Sequence, residues 1–213
     1  MLDYEADEWL QTEGGYKFHC FISWPHTINP EITESARYLK MAILERLAAV
    51  FPTPAVFLDE SAMVGGDDWE KKLKHGLCRS VAMVAVCAPI YYHPQHRWCG
   101  REWAAMQLLS DYRLRTAEYT SIIPVLVRKS TPLPTAVSRI QHIDISNVTL
   151  QGRRYYNNRE FREKIEQIVQ RVRTIAMCIG SNKIKANCEG FDFPVESAFS
   201  DYVTSQPTLP LVT

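Results

Sequence analysis

Neither sign of charge dominates this chain of 213 residues, in which 24 lysines and arginines balance 24 aspartates and glutamates. A global electrostatic pull toward nucleic acid or an anionic membrane is therefore not expected, and any phosphate recognition must come from a local constellation. No apolar run approaches the ~18 residues needed to cross a bilayer. The N-terminal segment, with Asp3, Glu5, Asp7 and Glu8, lacks the basic start and apolar stretch of a secretory leader. No CxxC pair occurs among Cys20, Cys78, Cys87, Cys99, Cys178 and Cys188. Thiols in a reducing, cytoplasmic compartment are the simpler expectation. Cys20, Cys87 and Cys178 sit inside apolar runs, where a thiol behaves as a small hydrophobe. Internal repeats and low-complexity tracts are also missing.

What the chain does have is a hydrophobic content of 46%, enough for one sizeable core and one domain with a tail. Short apolar runs alternate with helical patterns, the signature of a parallel sheet covered on both faces. The runs are 17–23, 55–58, 81–88, 121–127 and a weaker 142–145. The longest continuous one, 81–88, is expected to be a central strand. Asn29-Pro30-Glu31 supplies a cap, a first-turn proline and a first-turn acid for a helix carrying Ala36, Leu39, Ile43, Leu47 and Val50. Trp69, Leu73 and Leu77 mark a second helix, and Trp103, Met106 and Leu109 a third after a polar loop over 89–97. Asn157 and Glu160 resemble a capping box for the last helix, whose stripe is Phe161, Ile165, Ile168, Val172 and Ile175. Periodicity fails beyond Gly180. The remainder reads as a tail that wraps the domain or meets a partner.

Five strands with interleaved helices predict an α/β, flavodoxin-like fold with strand order 2-1-3-4-5. Ligands in such sheets bind beyond the carboxyl ends of the strands, where the order reverses between strands 1 and 3. Three segments fall there: 23–26, 59–68 and 89–102.

Those segments carry a family pattern. Phe18-His19-Cys20-Phe21-Ile22-Ser23-Trp24 resembles the first-strand box of Toll/interleukin-1 receptor (TIR) domains. Val56-Phe57-Leu58-Asp59, with Gly65, Gly66 and Trp69, resembles the second strand and the glycine-bearing loop after it. Pro89, Tyr91 and Trp98-Cys99-Gly100-Arg101-Glu102-Trp103 resemble the Pro-x-Tyr and Trp-Cys-x-x-Glu signature of bacterial and plant members. The resemblance implies an extension over 1–15, a TIR domain over 16–179 and a C-terminal tail over 180–213. It also implies Glu102 as the essential carboxylate of an enzyme that cleaves NAD. The chemistry agrees, because loss of nicotinamide leaves an oxocarbenium-like ribose that a carboxylate stabilises. Phe21, Ser23 and Trp24 are expected to line the floor of the pocket. Asp59, Gly65 and Gly66 would form a mobile wall, and Trp98 and Cys99 would share a helix face with Glu102. Three departures bear on the phosphates: His19 replaces the usual acid, Trp24 the usual tyrosine, and Pro25-His26 the basic residues of some members. His26, Arg97 and Arg101 are the available substitutes.

Plainer readings stand beside these. Glu102 on its own is a solvated first-turn acid favoured by the helix dipole. Trp103 is expected in the core, and Asp59 either caps a turn or lines the site. His93, His96 and Cys99 have ligand chemistry, but Pro94 separates the first two and the spacing matches no paired-ligand motif. No metal and no cofactor are expected, NAD being the substrate. The leading expectation is nicotinamide release yielding ADP-ribose or a cyclised or conjugated form, as in bacterial anti-phage defence. The expected partners are further copies of the chain, joined through the loop after strand 2, and a separate effector that responds to the product. Two alternatives remain: a non-enzymatic adaptor signalling by homotypic assembly, and a relative of the nucleoside deoxyribosyl transferases.

Overall fold

The computed structural model describes residues 2–27, 29–59, 68–93, 96–115, 117–129, 133–148 and 157–194. Five parallel strands form one sheet in the order β2-β1-β3-β4-β5: β1 Phe18–Ser23, β2 Val56–Leu58, β3 Ser80–Cys87, β4 Ile122–Leu126 and β5 Ile143–Asp144. This is the flavodoxin-like order the sequence predicts. β3 lies at the centre, with all eight residues buried, because it carries side chains that suit both covered faces. In register, Phe21 faces Met83 and Ser23 faces Ala85, while Val84 faces Ile123.

Strand alternation divides the core into two layers. Cys20, Ile22, Val84 and Val125 pack under α2 (Pro30–Leu47) and α6 (Arg159–Ser181). Phe21, Met83, Ala85 and Cys87 pack under α3 (Trp69–Cys78) and α4 (Arg97–Arg113). Fully burying each valine, isoleucine or leucine is worth ~1.5–3 kcal/mol, which is why these two layers dominate stability. The same alternation turns Ser23 toward α4, with consequences for the site.

Helix boundaries follow local chemistry. Asn29 accepts a hydrogen bond from the amide of Glu31 at the start of α2, and Pro30 occupies the first turn. α6 is capped one residue later than the Asn157–Glu160 pattern suggests. Asn158 accepts from the amide of Phe161 at 3.0 Å, so it is Asn158 whose side chain reaches the third helical residue. The stripe Phe161, Ile165, Ile168, Val172 and Ile175 is buried throughout.

Four features depart from the sequence expectation. The acidic N-terminal segment forms α1 (Leu2–Thr12), which buries Ala6, Trp9 and Leu10. Gly180 permits its approach to α6, since a Cβ there would lie 2.8 Å from the Ala6 carbonyl oxygen. The stretch expected as a polar loop from Pro89 contains a 3-10 turn, Pro89–Tyr92, in which Tyr91 and Tyr92 are buried. A short α5 (Thr135–Ser138) precedes β5. Finally, Cys78 and Cys188 are joined by a disulfide rather than remaining free thiols. Their separation of 110 residues matches no spacing motif. They meet because residues 182–194 turn back through left-handed Lys183 and Asn187 and lie as a strap beside α3.

Candidate active site

α4 begins at the carboxyl ends of the strands, beside β1 and after β3, at the reversal of strand order. Glu102 sits in its second turn with 6% of its surface exposed. Burying a carboxylate costs several kcal/mol unless donors compensate or a proton is taken up. Both happen here. The hydroxyl of Ser23, at the end of β1, donates to Glu102 Oε2 at 2.5 Å. Burial still pushes the Glu102 carboxyl up to about 8, with repulsion from Asp59 adding and the Ser23 bond opposing. Burial thus favours the protonated form of Glu102 at neutral pH.

Ser23 Oγ also lies 2.8 Å from the Tyr91 hydroxyl, which in turn is 3.5 Å from the Cys99 carbonyl oxygen. Three polar side chains from three separate elements therefore meet at one point: Ser23 from β1, Tyr91 from the 3-10 turn and Glu102 from α4. Of the residues expected at the site from sequence, Ser23 and Glu102 are brought into side-chain contact.

The others lie as follows. Phe21 is fully buried, stacked on Phe57 at 5.1 Å between ring centroids. It belongs to the core layer under α3 and α4, on the same face of β1 as Ser23. The Trp24 indole donates to the Asp59 carbonyl oxygen at 3.3 Å and stacks on His26 at 4.3 Å. It thereby ties the end of β1 to the end of β2. Asp59 is itself buried and acts on Glu102 through its charge. Cys99 is buried beside Tyr91 and Tyr92, and burial raises its thiol well above the ordinary range, as does the neighbouring Glu102. A thiol so placed is a packing group, not a nucleophile. Gly65 and Gly66 lie outside the described residues.

Trp98 turns toward α3 and the strap. Trp69 meets it edge-on at 4.3 Å, and the Arg101 guanidinium covers one face at 4.0 Å. Phe193 of the strap approaches the same indole at 5.6 Å. Arg101 is ion-paired with Glu70 at 3.2 Å. Among the phosphate substitutes, Arg101 is thus committed to this cluster, while burial pulls the His26 imidazole below its usual range, with Asp59 opposing. Among the described residues, no group of three or more His, Cys, Asp or Glu side chains is arranged to hold a metal ion. No helix among them is long and apolar enough to cross a membrane.

Two open clefts of about 920 and 990 Å³ lie at the opposite, amino ends of the strands. They are lined by residues such as Tyr119, Arg171, Arg113 and Lys185, and share none with the Glu102 cluster.

Glu102 is thus buried on the helix after β3 and hydrogen-bonded to the serine that ends β1. The family model for the TIR domain matches residues 21–156, more than half of the chain. The chain belongs to the TIR-domain family. No curated protein and no solved structure matches it. TIR domains in general include NAD-cleaving enzymes and adaptors, and they often associate with one another. Within this TIR domain the departure at His19 has a structural answer. His19 Nδ1 accepts the Ala55 amide at 3.2 Å, so Nε2 carries the proton and donates to Asp7 at 2.9 Å. Asp7 of α1 is thus the acid that partners His19. Sequence reasoning assigned no role to Tyr91, Asp7 or Phe193. Tyr91 alone had a signal, its place in the Pro-x-Tyr motif directly after the central strand.

Proposed function

We propose that this TIR domain cleaves the nicotinamide–ribose bond of NAD, with Glu102 as the catalytic carboxylate. The single observation that carries the reading is the buried Glu102–Ser23 pair at the topological switch point, with Glu102 Oε2 2.5 Å from the serine hydroxyl. As the C1′–N bond breaks, its electron pair passes to the pyridinium nitrogen, so nicotinamide leaves neutral and no general acid is required. Positive charge moves to the ribose C1′ and ring oxygen, where an ionised Glu102 stabilises it electrostatically. Attack by water, with loss of a proton, gives ADP-ribose. Attack by another nucleophile of the substrate or of a second molecule gives a cyclised or conjugated product.

The ionisation of Glu102 is coupled to binding. The nicotinamide cation favours the carboxylate, as does the Ser23 hydrogen bond, and together they offset burial. The product is read as a signal passed to a separate effector in anti-phage defence, with assembly of several copies through the loop after β2 completing the active site. The test is chromatographic and mass-spectrometric product analysis at high protein concentration. Glu102→Ala is expected to lose about 10²–10³-fold in nicotinamide release. If wild type and variant alike leave NAD intact under conditions that assemble the domain, the adaptor reading replaces this one.

A further inference from the structure

We propose that Tyr91 is a positioning residue that acts through Ser23 to hold the Glu102 carboxylate in its working orientation. The inference rests on the NAD-cleavage reading for its catalytic consequence, and on the hydrogen-bond geometry for its substance. Ser23 has a single proton, and it is directed to Glu102 Oε2 at 2.5 Å. Its oxygen is left as an acceptor, and the Tyr91 hydroxyl lies 2.8 Å away. Tyr91 therefore donates to Ser23, the nearer of its two acceptors, the Cys99 carbonyl oxygen lying at 3.5 Å, and Ser23 donates to Glu102, so that each bond polarises the next. Tyr91 is wholly buried and Ser23 is 1% exposed, which removes water as a competing donor. The 3-10 turn fixes Tyr91, because its amide donates to the Ala88 carbonyl oxygen at the end of β3 at 2.9 Å. The relay thus links β1, β3 and α4 to one carboxyl group.

Among the described residues, the charged and titratable surroundings of Glu102 are few. Asp59 follows β2 and repels it. Cys99 lies one turn earlier on α4, and burial keeps that thiol protonated. Tyr92 and Cys87, on the 3-10 turn and β3, are likewise held protonated by burial. His26 lies beyond Asp59 after β1, and Glu70 on α3 is paired with Arg101. β4 contributes no ionisable side chain. Among the described residues, the Tyr91–Ser23 relay is the donor chain that favours the charged form of Glu102. Removing the tyrosine hydroxyl weakens the serine as a donor and makes the carboxylate harder to form.

The experiment compares wild type with Tyr91→Phe, Ser23→Ala and the double variant. Two readouts are taken: the pH dependence of kcat/KM for NAD, and the titration of the Glu102 carboxyl carbon by ¹³C NMR on the full chain. Tyr91→Phe is expected to lower kcat/KM about fivefold at pH 7, the effect of one hydrogen bond, with recovery at high pH. The acid limb and the NMR midpoint should both move upward, and further in Ser23→Ala. In the Ser23→Ala background, Tyr91→Phe should add nothing. A pH-independent loss with an unmoved midpoint, or full additivity of the two substitutions, overturns the relay. If wild type leaves NAD intact while the midpoint moves as expected, the NAD reading fails and the relay stands.

Discussion

Glu102 and Arg113 are buried ionisable residues on the same helix, 6% and 1% exposed, yet their surroundings differ in kind. Eleven residues apart, they are separated by roughly 16 Å along α4 and so reach opposite ends of the sheet. At the amino end, Arg113 donates to the carbonyl oxygens of Ser80 at 3.0 Å, Cys78 at 2.6 Å and Ala186 at 3.1 Å. The ring of Tyr16 lies 4.9 Å from its guanidinium carbon. Those carbonyls belong to β3, α3 and the strap, so the cation fastens three segments together. At the carboxyl end, Glu102 has one short donor and a repelling carboxylate nearby. Burial perturbs both groups, lowering the arginine and raising the glutamate. A shifted ionisation therefore does not mark function by itself. Position at the strand-order reversal and a single short donor distinguish the proposed catalytic carboxyl from the structural arginine.

If this contrast is correct, substitutions at the two ends should act on different quantities. The largest effect is expected from Arg113→Met, which leaves three carbonyls without their donor. It should cost about 3–5 kcal/mol in urea unfolding, with the remaining folded fraction keeping its specific activity. Loss of activity without loss of stability would put Arg113 on the functional side.

Glu102→Gln should do the opposite. The folded carboxyl titrates at about 8, above its ordinary 4.5. The folded state therefore binds this proton more tightly, and its stabilising contribution is complete below about 4.5 and lost as pH rises through about 8. Wild type should lose stability relative to the glutamine variant by up to about 1.4 kcal/mol per pH unit across that window. Parallel stability curves would show that Glu102 is not held in its protonated form.

A third test belongs to the strap. Cys188→Ser opens the Cys78–Cys188 link across 110 residues and should cost about 2–4 kcal/mol. Release of Phe193 from Trp98 should shift tryptophan emission. An unchanged emission spectrum would show that the strap stays seated without the disulfide.

Much of this architecture was legible in the sequence, and the reasons are physical. The uninterrupted apolar run around Val81–Val86 and the stripe from Phe161 to Ile175 announce a central strand and a packed helix, because burial on both faces or one face dictates their periods. Ser23 and Glu102 were legible as members of a site through the boxes they belong to. The remainder depends on contacts distant in the chain. α1 carries Asp3, Glu5, Asp7 and Glu8, and its acidity hides a helix that uses Asp7 inside, against His19. Arg113 ends a helix whose buried face also holds Glu102 and Ser110, so no clean stripe signals its burial. The family resemblance placed Phe21 beside Ser23 on the pocket floor. Strand alternation puts both on one face, and depth beneath Phe57 separates them. The strap is invisible to periodicity, since a disulfide, Ala186 and Phe193 hold it.

The most direct test of the central claim is single-turnover release of nicotinamide from NAD by assembled wild-type protein and by Glu102→Gln, which keeps the side-chain shape and the bond from Ser23. Release by wild type, rising with pH toward about 8, and its absence in a folded Glu102→Gln protein is the expected result. Equal release by both proteins, or none by either once assembled, would contradict the assignment of Glu102 as the carboxylate that cleaves NAD.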